Sequence, residues 1–101
     1  GRIVLCEPTL AARLEAADRI VADTGAVLIP PFDSRLVAAG QGTCAMELIA
    51  DATEPLDVIS CPVGGGGLLA GTLVAVRELD PRIAVIAAEP ANADDAARGF
   101  R

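Results

Sequence analysis

The sequence predicts an α/β fold, a parallel sheet with flanking helices. Three observations carry this reading. Short apolar runs alternate with longer stretches of helical periodicity in the order β-α-β-α-α-β-α-β-α, which requires parallel strands joined by crossovers. Hydrophobic residues make up 52% of the chain, yet Phe32 and Phe100 are its only aromatics. A core must then be built from Val, Ile, Leu and Ala, as in a sheet covered by helices. Finally, the stretch from Asp57 to Glu89 reads as strand, glycine turn, helix and strand in direct succession, a βαβ unit.

The elements follow in order. Ile3–Cys6 is a short apolar run expected as a buried strand. Thr9 is placed to cap a helix reaching about Thr24, with Leu10, Leu14, Ala17, Ile20 and Val21 on one stripe and Arg13, Glu15 and Asp18 outside it. Gly25 is its C-terminal stop. Ala26–Ile29 is expected as a second strand, ended by Pro30-Pro31, which cannot donate to a ladder. Asp33 or Ser34 opens a brief helical turn to Ala39, and Gly40-Gln41-Gly42 reads as a flexible connector. Thr43 then caps a helix carrying Met46, Leu48 and Ile49, stopped by Glu54-Pro55. Asp57–Val63 is a strand, Gly64–Gly67 a turn, Leu68–Leu79 a helix stopped by Asp80-Pro81, and Ile83–Ala88 a strand. Asp94 and Asp95 stand where another helix would begin. The chain is long enough for one compact domain and too short for two.

Composition excludes several functions. The net charge is −6 with no basic cluster, which argues against nucleic acid, because phosphate neutralisation needs grouped cations. No apolar run reaches the ~20 residues of a membrane span. Cys6, Cys44 and Cys61 are odd in number and lie among apolar residues, so buried free thiols in a reducing, cytoplasmic setting are expected. The bases are all Arg: the chain contains neither Lys nor His.

The most informative stretch is Cys61-Pro62-Val63-Gly64-Gly65-Gly66-Gly67-Leu68-Leu69-Ala70-Gly71. Four glycines between a strand and a helix leave the backbone bare, so N–H groups can converge on an anion with help from the helix dipole. Phosphate is the expected guest. A tight structural turn would need only one or two glycines. A nucleotide-hydrolysing loop of the Walker type needs Lys before Ser or Thr, and Gly71 precedes Thr72 instead. A dinucleotide fingerprint stays open: Gly65-x-Gly67-x-x-Ala70 fits its spacing, and Glu89 closes the next strand where a ribose-binding acid belongs.

Several segments together resemble one family. Gly40-Gln41-Gly42-Thr43, Ala45-Met46-Glu47, the run Pro62–Gly71, Cys6-Glu7-Pro8, Pro31-Phe32-Asp33 and the run Ala88–Asp95 are similar to the fold-type II pyridoxal-phosphate enzymes. These include threonine dehydratase, serine dehydratase and serine racemase, and the run Ala88–Asp95 looks most like the last. The resemblance extends from end to end and covers about the middle third of a family member. It implies a partial fold-type II architecture, with residues 1–39 ending the small domain and residues 40–101 beginning the large one.

By the same resemblance, the N–H groups of Gly64, Gly65, Gly66, Gly67 and Leu68 would grip the phosphate of pyridoxal 5′-phosphate. Glu89, the Ala93 carbonyl and Asp95 would correspond to the Mg²⁺ or Ca²⁺ ligands of the serine racemases, oxygen donors suited to hard cations. Complementing a helix N-terminus is the plainer role for Asp94 and Asp95. Gln41 and Thr43 would shape the hinge between the two domains, and Met46 would fill the core.

Complete members act on serine or threonine as ammonia-lyases or racemases, through a lysine that holds the cofactor as a Schiff base. This sequence has no Lys and offers no catalytic residue, so inactivity in isolation is expected. Its uncovered apolar surface implies self-association into a homo-oligomer, or a complementing chain. The alternatives are a βαβ dinucleotide-binding module using Gly65, Gly67 and Glu89, or a non-catalytic, self-associating remnant.

Overall fold

Local capping sets the first helix. In the computed structural model, which describes residues 2–99, helix α1 spans Leu10–Thr24. The Thr9 hydroxyl oxygen accepts the Ala12 N–H at 3.2 Å. Gly25, at φ 69°, ends the helix in the left-handed region and donates its N–H to the Val21 carbonyl. Both ends stand where the sequence puts them. The apolar stripe is another matter: no residue of α1 is buried, and α1 packs against none of the other helices or strands.

The strands expected at Ile3–Cys6 and Ala26–Ile29 do not form. A strand is stabilised by the ladder it joins, and neither run meets a partner. Their large side chains stay in solvent, with Ile3 87%, Leu5 91%, Val27 84% and Ile29 74% exposed.

Helix α2 spans Arg35–Asp51, capped by the Ser34 hydroxyl, which accepts the Val37 N–H at 3.5 Å. It runs unbroken through Gly40-Gln41-Gly42, where a connector was expected. Thr43 therefore caps nothing and instead donates its hydroxyl to the Gly40 carbonyl at 2.7 Å. The reason lies across the helix interface. A Cβ at Gly42 would fall 2.8 Å from the Gly71 carbonyl oxygen, and a Cβ at Gly71 would strike the Ala38 carbonyl and lie 3.0 Å from Gly42 Cα. The two backbones touch here, so glycine's cost of about 0.5–1 kcal/mol in a helix is offset by a close approach no other residue permits.

The remaining elements form the expected βαβ unit. Strand β1 (Val58–Pro62) and strand β2 (Ala84–Ala88) pair in parallel, with Val58 opposite Ala84 and Pro62 opposite Ala88. Between them runs helix α3 (Gly67–Leu79), and a short helix α4 (Asp95–Gly99) follows. Along β1 burial alternates: Ile59 and Cys61 face inward, while Val58, Ser60 and Pro62 face out. Ile59, Val76 and Ile83 form the core, with Ile49, Leu56 and Val85 packed around them. Each fully buried aliphatic side chain contributes about 1.5–3 kcal/mol.

The other face of the two-stranded sheet is open. The radius of gyration, 16.8 Å, exceeds the roughly 13 Å of a compact chain this long, because α1 packs against no other helix or strand. Cys6 and Cys44 are exposed, against expectation, because Cys6 lies in the unpaired run and Cys44 on the outer side of α2; only Cys61 is buried. Met46 is likewise half-exposed rather than core. Among the described residues no helix is long and apolar enough to cross a membrane.

Candidate phosphate site

The site grows out of the end of the sheet. One bond beyond the strands, from the Val63 N–H to the Ala88 carbonyl at 3.0 Å, holds the chain to β2, and there the glycines begin. The loop thus leaves the carboxyl edge of a parallel pair, where α/β folds place their ligands. Gly66 turns the backbone into α3 at φ 83°, ψ −6°, a conformation that excludes ordinary side chains. No side chain caps α3. The Ala70 N–H closes the first helical bond to the Gly66 carbonyl at 2.9 Å, which leaves the first-turn amides without helical partners. None of the turn and loop backbone bonds among the described residues draws on an N–H of Gly64, Gly65, Gly66, Gly67 or Leu68.

In front of this loop lies a cavity of about 500 Å³, bordered by Asp33, Ser34, Arg35, Gly65, Gly66 and Gly67. The N-termini of α2 and α3 both border it, so two helix dipoles present their positive ends to one space. A Cβ at Gly64 or Gly66 would meet nothing within 4 Å, so the backbone is bare and approachable. Free amides, an open front and positive helix ends suit a phosphate group. The sequence-nominated residues Gly64–Leu68 are therefore brought together as one turn.

The second nominated set fares differently. The Glu89 carboxylate accepts the Ala96 N–H at 3.1 Å and the Ala97 N–H at 2.8 Å, so both its oxygens are engaged in capping α4. Asp94 pairs with Arg98 at 3.1 Å, and the Ala93 N–H closes a turn to the Pro90 carbonyl. With Glu89 held this way, the geometry gives a cation at Glu89, Ala93 and Asp95 no support. Among the described residues, no three His, Cys, Asp or Glu side chains converge as metal ligands. The same bonds give Glu89 a task of its own at α4, independent of any ribose.

Two features escaped the sequence reading. The first is the Gly42–Gly71 contact, signalled by small residues at Ala38, Gly42 and Ala45 on one helix and Gly71 and Ala75 on the next. The second is Phe32, which lies against Gly65. Titration is perturbed far from the loop, at the other end of α3. Asp80 is held down at about 2, chiefly by its side-chain hydrogen bonds with Arg82 at 2.7 and 2.8 Å, and Arg82 is raised in turn.

Comparison with known proteins gives the family. The family model described as pyridoxal-phosphate dependent enzyme matches residues 1–101. The chain is 44% identical over 101 residues to beta-hydroxyaspartate dehydratase of Paracoccus denitrificans (strain Pd 1222), covering all of this chain and 32% of that protein. It is 42% identical over 98 residues to serine racemase of Arabidopsis thaliana, covering 97% of this chain and 29% of the relative. The solved structure of maize serine racemase superposes with a TM-score of 0.87 at 38% identity, over 98% of this chain and 30% of that one. The chain thus spans about a third of the length of the relatives it matches. A glycine turn at the carboxyl edge of a parallel βαβ unit, within a match running from end to end, makes this chain a member of the pyridoxal-phosphate-dependent enzyme family.

Proposed function

We propose that this chain forms the phosphate-gripping part of a pyridoxal-phosphate-dependent dehydratase or racemase acting on a small hydroxy-amino acid such as serine or threonine. One observation carries the reading: the amides of Gly64, Gly65, Gly66, Gly67 and Leu68 stand bare at the head of α3, before an open cavity. They donate to the phosphate oxygens, and the α3 dipole adds to their field. Gly66 supplies the turn that aims them, and the Gly42–Gly71 contact fixes α3 against α2. When bound, the cofactor supplies an electron sink for charge developing on the substrate's α-carbon.

The chain's own residues bind and orient. In this reading they move no proton: Lys and His are absent from the sequence, and among the described residues bordering the cavity the one acid is Asp33. Residues 1–39 and 40–101 correspond in this reading to the end of the small domain and the start of the large one, with α2 crossing the junction. Turnover requires a lysine from outside these residues, so the chain by itself binds without reacting. Self-association or a complementing chain covers its apolar faces. Free thiols are in keeping with a reducing, cytoplasmic setting. A Mg²⁺ or Ca²⁺ ion in this reading would use the Glu89 lone pairs that the α4 amides leave open, together with the Ala93 carbonyl and Asp95.

The test is a titration of the purified chain with pyridoxal phosphate, followed by absorbance, with inorganic phosphate and NAD as competitors. Binding displaced by phosphate is the expected result. Preferential binding of NAD would support the dinucleotide module instead, and no binding of either would overturn both.

A further inference from the structure

Gly65 is a glycine for a reason its own backbone does not supply. Among the described residues only Gly25 and Gly66 hold positive φ as glycines, so at Gly65 any residue could adopt the backbone. What excludes a side chain is space. A Cβ built at Gly65 would coincide with the Phe32 ring, overlapping its Cγ and Cδ1 and lying 2.7 Å from its Cβ. At Gly67 the corresponding Cβ would lie 3.2 Å from the Pro31 carbonyl oxygen and 3.6 Å from Phe32 Cα. The Pro31-Phe32 segment therefore runs across the loop from Gly65 to Gly67. By contrast, a Cβ at Gly64 or Gly66 would meet nothing within 4 Å. The two pairs divide the labour: one is packed, the other open.

A second observation concerns how the ring gets there. Asp33, directly after Phe32, sits at φ 58° and is the described non-glycine residue with positive φ. Such a conformation is unfavourable for most residues and tolerated by Asp, whose short side chain suits left-handed turns. It reverses the chain between Phe32 and the α2 cap at Ser34, so the ring is laid on the loop while α2 departs beside the cavity. Phe32 remains 48% exposed, so this is a one-sided contact.

We propose that Phe32 is a positioning residue for the phosphate loop: its ring takes the place of a side chain at residue 65 and holds the bare backbone of Gly65–Gly67 in the shape that receives an anion. This rests on the phosphate-loop reading above. A four-glycine turn is free to adopt many conformations when nothing packs on it, and ordering it on binding costs conformational entropy. The ring orders it beforehand, so less is lost when the anion arrives. Gly65 and Phe32 are thus complementary in size and act as a pair.

The pair can be tested in the intact chain by nuclear magnetic resonance and ligand titration together. In the ligand-free chain the Gly65 α-protons should carry an upfield ring-current shift that disappears in Phe32→Leu. Phe32→Ala should weaken binding of both inorganic phosphate and pyridoxal phosphate by about tenfold. Gly65→Ala should weaken it further, by forcing the ring away. The double variant Gly65→Ala/Phe32→Ala should bind better than Gly65→Ala alone, since the smaller neighbour makes room for the added methyl. Far-UV circular dichroism identifies any variant that fails to fold.

An unshifted Gly65, or additive losses in the double variant while the wild-type chain binds phosphate, would overturn the role of Phe32 and leave the cofactor reading intact. A shifted Gly65 in a chain that binds neither ligand would overturn the cofactor reading, and with it the purpose proposed for the contact.

Discussion

Residues 2–33 and residues 34–99 carry equally clear apolar patterns and have opposite fates. The second stretch turns its pattern inward: Ile59, Val76 and Ile83 meet in a core, and β1 finds β2. The first holds one well-capped helix and two apolar runs, and buries nothing; its residues stay intermediate or exposed. The difference separates two kinds of structural information. A helix satisfies its own backbone, so caps at Thr9 and Gly25 suffice to draw α1. A strand does not, and apolar alternation without a neighbour remains an unpaired run.

This contrast can be broken most strongly from the packed side. Ile59→Ala removes a central core side chain and should cost about 2–5 kcal/mol, enough to abolish a cooperative transition in so small a core. Thermal unfolding followed by circular dichroism checks it; a loss below about 1 kcal/mol would mean that β1 is not the centre of stability. On the unpacked side, Thr9→Ala should remove about 1 kcal/mol from α1 alone. Helix signal should fall while the transition of the βαβ half keeps its midpoint, and a shift in that midpoint would reveal coupling between the two regions.

The smallest effect belongs to the clasp at the tail of α3. Asp80 is held at about 2 in the folded chain, below its ordinary 3.8, mainly by its side-chain hydrogen bond to Arg82. A carboxylate so lowered adds stability above its ordinary value, and that addition fades as pH falls from about 4 through about 2. Because the pair is exposed, the gain is slight. Melting of wild type and Asp80→Asn should differ by a little at pH 5 and converge near pH 2; a gap that persists in acid would assign the effect to something other than this ion pair.

What was legible in the sequence follows the same division. The βαβ unit, the glycine turn and the ends of α1 are written in local signals, each within a few residues of the structure it causes. Gly64–Leu68 stood out as a candidate because four bare residues between strand and helix have few other uses. The unpaired runs at Ile3–Cys6 and Ala26–Ile29 misled because strand propensity says nothing about whether a partner exists. The continuity of α2 was hidden because Gly40 and Gly42 break helices in isolation, and only Gly71, far along the chain, explains Gly42. Phe32 was hidden for the same reason. Its meaning depends on Gly65, and neither residue announces the other. Glu89 shows a use that sequence position did not announce: its oxygens accept the Ala96 and Ala97 N–H groups that begin α4.

The Gly42–Gly71 contact also works as a gauge. Asp33 and Ser34 stand just ahead of α2, and the glycine loop stands just ahead of α3, so the width of the cavity between them depends on how the two helices cross. Where side chains separate helices, that width shifts with every rotamer change and every substitution at the interface. Here backbone rests on backbone, with no rotamer to adjust. At this point the spacing of the two helices is consequently set by main-chain geometry, and the aperture inherits one fixed point that no side-chain rearrangement can move.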